Sequence, residues 1–204
     1  MNLPNKITLT RIFMIPIFVA IFFLDGILPY NYAIAAVVFA LAACTDFIDG
    51  HIARSRGLVT NLGKFLDPIA DKVLVSTAML LLLTMKSELK LFASDWVYIS
   101  TAVCICVIMA RELIISAFRQ IAATRGLVMA ADKLGKYKTT FQDISIFILI
   151  FAANAQKIFF GNTDVYWASY VEIFGLVLFA VATVLTVWSG ISYVVKNKQV
   201  LKDE

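Results

Sequence analysis

The sequence predicts an all-α integral membrane protein with six transmembrane helices and an N-terminal amphipathic interfacial segment, and three observations predict it. Of the 204 residues, 61% are hydrophobic and 16% charged, against about 45–50% apolar and about 25% charged in an ordinary soluble domain. The mean hydropathy of +0.85 means more apolar surface than one soluble core of this length can hide. Third, the chain offers six apolar stretches of roughly the length a membrane helix needs, about 20 residues each. This composition excludes disorder. A net charge of +4 is only mildly basic and does not by itself point to nucleic acid, and none is expected as a partner.

Residues 1–11 come first. Lys6, Thr8, Thr10 and Arg11 are interspersed with Leu3, Ile7 and Leu9, a pattern suited to lying along a membrane surface. The first apolar helix is expected at Ile12–Leu24, with Pro16 able to kink its junction with the lead-in. No small-residue cleavage site follows it, so a removed signal peptide is not expected. The other helices are expected at Tyr32–Ser55, Gly63–Met85, Ala93–Arg119, Leu134–Ala153 and Tyr166–Val195. Turn signals fall between them at Asp25-Gly26, Arg56-Gly57, Arg125-Gly126 and Gly161-Asn162. No internal repeat is visible, so residues 1–204 read as a single membrane domain. Cys44, Cys104 and Cys106 lie in apolar stretches and are expected as buried thiols, their odd number arguing against a disulfide framework.

Positive charge orients the bundle, because cytoplasmic loops retain the Lys/Arg excess. Fifteen of the 18 basic residues fall on one side in this layout, and only Lys86, Lys90 and Lys157 fall opposite. The expected location is therefore a cell membrane, multi-pass, with both termini and the active site on the cytoplasmic side.

The segment from Asp46 to Asp71 reads DFIDGHIARSRGLVTNLGKFLDPIAD and breaks the apolar rule in a patterned way. Asp46, Asp49 and Ala53 are spaced i, i+3, i+7, and Gly63, Asp67 and Asp71 i, i+4, i+8, so each trio shares a helix face. The short connection around residues 54–61 makes the two helices a hairpin whose acidic faces can oppose. With Arg56 and Lys64 at the interface, Asp71 lies about 10 Å into the membrane and Asp46 about 15 Å. An ionised Asp at such depth costs roughly 2.5–3.5 kcal/mol on lenient scales. Something positive must compensate. Four converging carboxylates are hard oxygen donors suited to Mg²⁺, Mn²⁺ or Ca²⁺, and two divalent ions would neutralise them. Buried ion pairs with Arg54, Lys64 and Lys72, or acids that remain protonated, are the alternative. That alternative leaves unexplained Gly50, Ala53 and Gly63, whose small side chains let a ligand or a neighbouring backbone approach beside the acids.

These residues resemble the CDP-alcohol phosphatidyltransferase family, whose signature is D-x2-D-G-x2-A-R-x8-G-x3-D-x3-D. Asp46, Asp49, Gly50, Ala53, Arg54, Gly63, Asp67 and Asp71 fill every fixed position with all spacings intact. The resemblance implies a six-helix membrane enzyme, commonly a homodimer among membrane lipids, that moves a phosphatidyl group from CDP-diacylglycerol to an alcohol and releases CMP. It implies that Asp46, Asp49, Asp67 and Asp71 hold two divalent cations, Mg²⁺ or Mn²⁺. Asp71 would also be the catalytic general base on the acceptor hydroxyl. Gly50, Ala53, Arg54 and Gly63 would border the CDP-diacylglycerol, although Arg54 could instead snorkel to lipid phosphate.

The motif does not choose the acceptor. Arg111, Arg119, Arg125, Lys133, Lys136 and Lys138 flank the ends of helices four and five. Arg111, inside the membrane, is a functional suspect by position. Arg111, Arg119, Lys136 and Lys138 are expected to bind an acceptor phosphate through charge-assisted hydrogen bonds. Positive-inside topology alone explains Arg125 and Lys133. Glu112 is expected to face a helix partner, and Gln142 and Asp143 to line the polar cavity. The strings LPNKITLTRI, ARELIIS and GKYKTTFQD resemble the branch of the family that uses glycerol 3-phosphate, which is the acceptor expected. A cardiolipin-forming or inositol-phosphate-using relative is the rival reading. A divalent-cation transporter is a more distant one, since transporters usually show repeats or broken helices that are missing here.

Overall fold

A computed structural model describes residues 3–55, 61–124, 133–160 and 167–197; within these, the side chains of residues 3–5, 46–55, 61–65, 123–124, 133–134, 136, 156, 160 and 167–168 lie outside the described set. The chain forms α1 (Leu3–Phe22), α2 (Asn31–Ser55), α3 (Asn61–Thr84), a 3₁₀ turn (Lys90–Ala93), α4 (Asp95–Thr124), α5 (Lys133–Phe160) and α6 (Trp167–Lys196). Each of the six apolar stretches is a helix, and no strand occurs among the described residues. The helices run from 20 to 30 residues. At about 1.5 Å per residue that is roughly 30–45 Å, enough to cross a hydrocarbon core of about 30 Å. Apolarity is clearest in α4 and α6, whose segments Asp95–Ala122 and Ser169–Lys196 reach mean hydropathies of 2.0 and 2.2.

α2 packs on α1 and α5, α6 on α5 and α4, and α3 touches α1, α2, α4 and α5. Alanines make these approaches close: Ala35, Ala36, Ala42 and Ala78 are fully buried, with Phe18, Phe39, Leu74, Met79, Leu82, Ile146 and Leu149 filling between them. A smaller cluster of Ile115, Phe118, Ala122 and Tyr193 joins α4 to α6. The outer surface is apolar too: Phe13, Leu113, Val184 and Trp188 are each more than 60% exposed. In water such a surface would aggregate. In lipid it is the proper exterior.

Polar ties fasten the end of the bundle away from the acidic motif. Gly26 at φ +79° makes the turn after α1, where a left-handed conformation favours glycine. The Asn31 amide donates to the carbonyl of Phe22 at 2.9 Å, and Asn154 on α5 accepts the Ala33 backbone N–H at 3.0 Å. The buried Glu172 carboxylate accepts the backbone N–H groups of Lys90 and Leu91 at 3.1 and 2.9 Å. This holds the 3₁₀ turn onto α6.

Two expectations need correction. The first helix begins at Leu3 and not at Ile12, so residues 3–11 are the first turns of α1, which runs through Pro16 unbroken. Thr8 and Arg11 are 1% and 0% exposed. They face partners on α2 and α3, and the hydrogen bonds available there outweigh the solvation a membrane surface would offer. Nor are all the cysteines buried: they are free thiols, with Cys44 and Cys106 exposed on the bundle exterior. A thiol is weakly polar, and an apolar exterior accepts it as readily as a core.

Candidate active site

Asp67 and Asp71 stand one helical turn apart on α3, both half-buried. That spacing puts them on one face, as the sequence predicts. The Thr8 hydroxyl of α1 donates to Asp67 Oδ1 at 2.6 Å. Asp71 lines a small cavity of about 40 Å³ together with Lys72, Met79, Glu112, Gln142 and Asp143. The cavity thus draws polar groups from α3, α4 and α5. Asp46, Asp49, Gly50, Ala53 and Arg54 lie on the last turns of α2 and Gly63 on the first turn of α3, which contacts α2. Their side chains, like that of Lys136 on α5, lie outside the described residues.

Basic side chains surround the cavity. Lys138 is buried at 2% exposure, and its ammonium donates to Glu112 Oε1. Arg111 Nη1 donates to the same oxygen at 3.2 Å, while its Nη2 donates to Ser189 on α6 at 3.0 Å. Lys138 also lies in the fields of Asp71, Asp143 and Lys72. The Lys72 ammonium donates to the Ser116 hydroxyl, which in turn donates to the Glu112 backbone carbonyl at 2.5 Å. Two of the expected acceptor-binding cations, Arg111 and Lys138, are therefore brought together by Glu112, which shares the cavity with Asp71. Arg119 is not part of this cluster. It sits two turns further along α4, donates to the Tyr193 hydroxyl at 3.2 Å and stacks over that ring at 5.3 Å.

Glu112, Gln142 and Asp143 take the places expected of them, Glu112 on a partner helix and the other two at the cavity. Sequence reasoning missed Thr8, Thr45, Ser116, Ser189 and Tyr193 as partners of the charged groups. Each is a hydroxyl, and a lone Ser or Thr in an apolar helix carries no signal of its own because it can return its proton to its own backbone. The donor chemistry fits hard divalent cations. Asp67 and Asp71 present carboxylate oxygens, the hard donors such ions prefer. Among the described residues no three such ligands converge; Asp46 and Asp49 are outside that set.

The family model for CDP-alcohol phosphatidyltransferases matches residues 1–192. The chain belongs to that family. Membership extends well beyond the acidic segment, taking in α1, the Arg111–Glu112–Lys138 cluster and nearly all of α6. Curated relatives agree along the full length. The chain is 37% identical to the CDP-diacylglycerol--glycerol-3-phosphate 3-phosphatidyltransferase of Bacillus subtilis (strain 168), covering 98% of this chain and 97% of that one. It is 37% identical to the protein of the same name from Escherichia coli (strain K12), covering 100% and 98%. It is 38% identical to that of Shigella flexneri serotype 5b, again covering 100% and 98%. The charged cavity between α3, α4 and α5 lies inside the matched region. No other cluster of opposite charges among the described residues draws on three helices.

Proposed function

We propose that this chain transfers the phosphatidyl group of CDP-diacylglycerol to glycerol 3-phosphate, giving phosphatidylglycerophosphate and CMP. The observation that carries the reading is the near-complete alignment with relatives that bear that activity in their names. The complete acidic signature and the cationic groups beside Asp71 support it.

Each residue's part follows from its chemistry. Asp71 accepts the proton of the acceptor hydroxyl as that oxygen bonds to the phosphatidyl phosphorus. The bond from this phosphorus to the bridging oxygen breaks, and CMP leaves with the electron pair. Arg111 and Lys138 hold the acceptor's phosphate and so aim its hydroxyl at the reaction centre. Arg119 and Lys136 would add positive charge that draws in the phosphorylated acceptor. Gly50, Ala53, Arg54 and Gly63 bound the nucleotide end of the donor. Asp46, Asp49, Asp67 and Asp71 would hold two divalent cations, Mg²⁺ or Mn²⁺, which when bound supply charge to neutralise the diphosphate.

The same proposal places six spans in a cell membrane, with the termini and site cytoplasmic and two copies forming a homodimer. The bias of Lys and Arg to one side and the apolar exterior support the spans and orientation. The homodimer rests on the family resemblance alone.

The test is CMP release from CDP-diacylglycerol by purified protein in mixed micelles with Mg²⁺ or Mn²⁺. Glycerol 3-phosphate should trigger release, while phosphatidylglycerol and inositol phosphate should not. Preference for either of the latter would move the chain to another branch of the family. Asp71→Asn should lower turnover about 10²–10⁴-fold, the usual weight of a general base. Turnover within a factor of two of wild type would remove Asp71 from that role.

A further inference from the structure

We infer that α1 braces the acidic motif and that Thr8 is a positioning residue for the carboxylate of Asp67. The inference rests on the proposed reading of Asp67 as a ligand for a divalent cation and adds a residue outside the signature.

The geometry comes from one face of α1. Thr8 is 1% exposed, and its hydroxyl donates to Asp67 Oδ1 at 2.6 Å, joining residues 59 positions apart. Three residues on, the fully buried Arg11 donates from Nε to the Thr45 hydroxyl at 3.2 Å. Thr45 passes the interaction on, donating to the Ala42 carbonyl at 2.6 Å. Spacing of i, i+3 places Thr8 and Arg11 side by side on the helix. One face of α1 therefore grips Asp67 itself on α3 and, on α2, the residue directly preceding Asp46.

The chemistry says what that grip does. A carboxylate on a helix has rotamers to choose from, and a metal ligand works best when its orientation is settled before the ion arrives. A hydroxyl has one proton to give. Once Thr8 has given it to Oδ1, Asp67 is fixed in direction while Oδ2 and the remaining lone pair of Oδ1 stay available as hard donors. A cation in that place of Thr8 would compete with a divalent ion by repulsion. An apolar side chain would leave the carboxylate free to rotate. Threonine is neutral and donates, which suits an acid that must remain a ligand. The buried Arg11 acts at one remove, through Thr45, and adds positive charge near the acids without contacting Asp67.

The experiment measures Mn²⁺ binding to the purified full-length chain, with neither lipid donor nor acceptor present, by electron paramagnetic resonance of the free ion. Metal-induced rise in melting temperature is followed in parallel. Thr8→Val keeps the shape and removes the donor, and Thr8→Ser keeps the donor. Thr8→Val should weaken Mn²⁺ about 10–100-fold, the range seen when a partner of a metal ligand is removed, and should blunt the metal-induced rise. Thr8→Ser should bind within about threefold of wild type. If Thr8→Val is too unstable to titrate, Thr8→Ala is judged by the same thresholds. Wild-type affinity in the variant lacking the hydroxyl, or equal weakening in Thr8→Ser, would overturn the inference and reduce Thr8 to a packing residue. Asp67→Asn separates the two levels. Wild-type affinity there would overturn the assignment of Asp67 and the brace with it, whereas weak binding there beside normal binding in Thr8→Val would sink the brace alone.

Discussion

The Glu112 carboxylate accepts from two cations on different helices, Arg111 beside it on α4 and Lys138 on α5. Lys138 is 2% exposed, and its charge is offset there by Glu112 in direct contact and by Asp71 and Asp143 nearby. Removing one member of such a group leaves an uncompensated charge in a low-dielectric setting, at a cost of about 3–5 kcal/mol. Glu112→Ala should therefore lower the stability of the detergent-solubilised protein by an amount in that range. Adding Lys138→Met should recover part of the loss, because the stranded charge goes with it. Unfolding of both single variants and the double variant checks this, and additivity within about 0.5 kcal/mol would show that the two do not couple. Legibility at this scale depends on how far a residue's meaning lies within its own segment. Asp67 and Asp71 are readable because eight fixed residues fall within one short stretch. Glu112 is visible only as an acid in a membrane-length helix, with its two partners unspecified. Thr8 is not legible at all, since its partner is 59 positions away and only folding brings them together.

α6 carries two glycines with different neighbours. At Gly175 an added Cβ would lie 2.9 Å from Leu149 side-chain atoms on α5; at Gly190 it would lie 3.0 Å from Arg111 Cγ and 3.3 Å from its Nε. The first contact is pure packing. Gly175→Val should cost stability, about 1–3 kcal/mol as overpacking does, and leave both Michaelis constants unchanged. Gly190→Val should instead push Arg111 away from Ser189 and Glu112, raising the KM for glycerol 3-phosphate several-fold while that for CDP-diacylglycerol holds. Steady-state kinetics with each substrate varied, alongside melting curves, separates the two. Equal effects on both KM values would show that Arg111 does not serve the acceptor. The helices themselves were legible because apolar length is a local property, so α2, α3 and α6 begin and end within a few residues of where the pattern puts them. The start of α1 and the end of α5 were not. α1 reaches back to Leu3 and α5 forward to Phe160, because a polar residue next to an apolar run reads as a loop until a neighbouring helix supplies its hydrogen bond, as Asp67 does for Thr8.

At the scale of the whole molecule, the two ends of the bundle carry different kinds of polar group. One end gathers Asp71, Lys72, Glu112 and Asp143 around a cavity, with Arg111 and Lys138 bonded to Glu112. The other has small structural ties, among them the Glu172 bonds to the 3₁₀ turn and an exposed pair of Lys86 and Asp95 at 2.9 Å. The proposed orientation, which rests on retention of positive charge in the cytoplasm, turns the cavity inward, where a soluble phosphorylated acceptor can reach it. Labelling with a membrane-impermeant maleimide tests this directly. Cys44, Cys104 and Cys106 are first replaced by alanine, because Cys44 and Cys106 are exposed on the bundle's outer face. Single cysteines are then placed at the exposed positions Lys86, Lys157 and Lys196. Lys86→Cys and Lys157→Cys should label in intact cells, and Lys196→Cys only after permeabilisation. The reverse pattern would invert the molecule, and labelling of all three in intact cells would mean that α6 does not cross. Both outcomes are incompatible with an inward-facing acceptor site, since Lys196 ends the helix that holds Ser189 against Arg111.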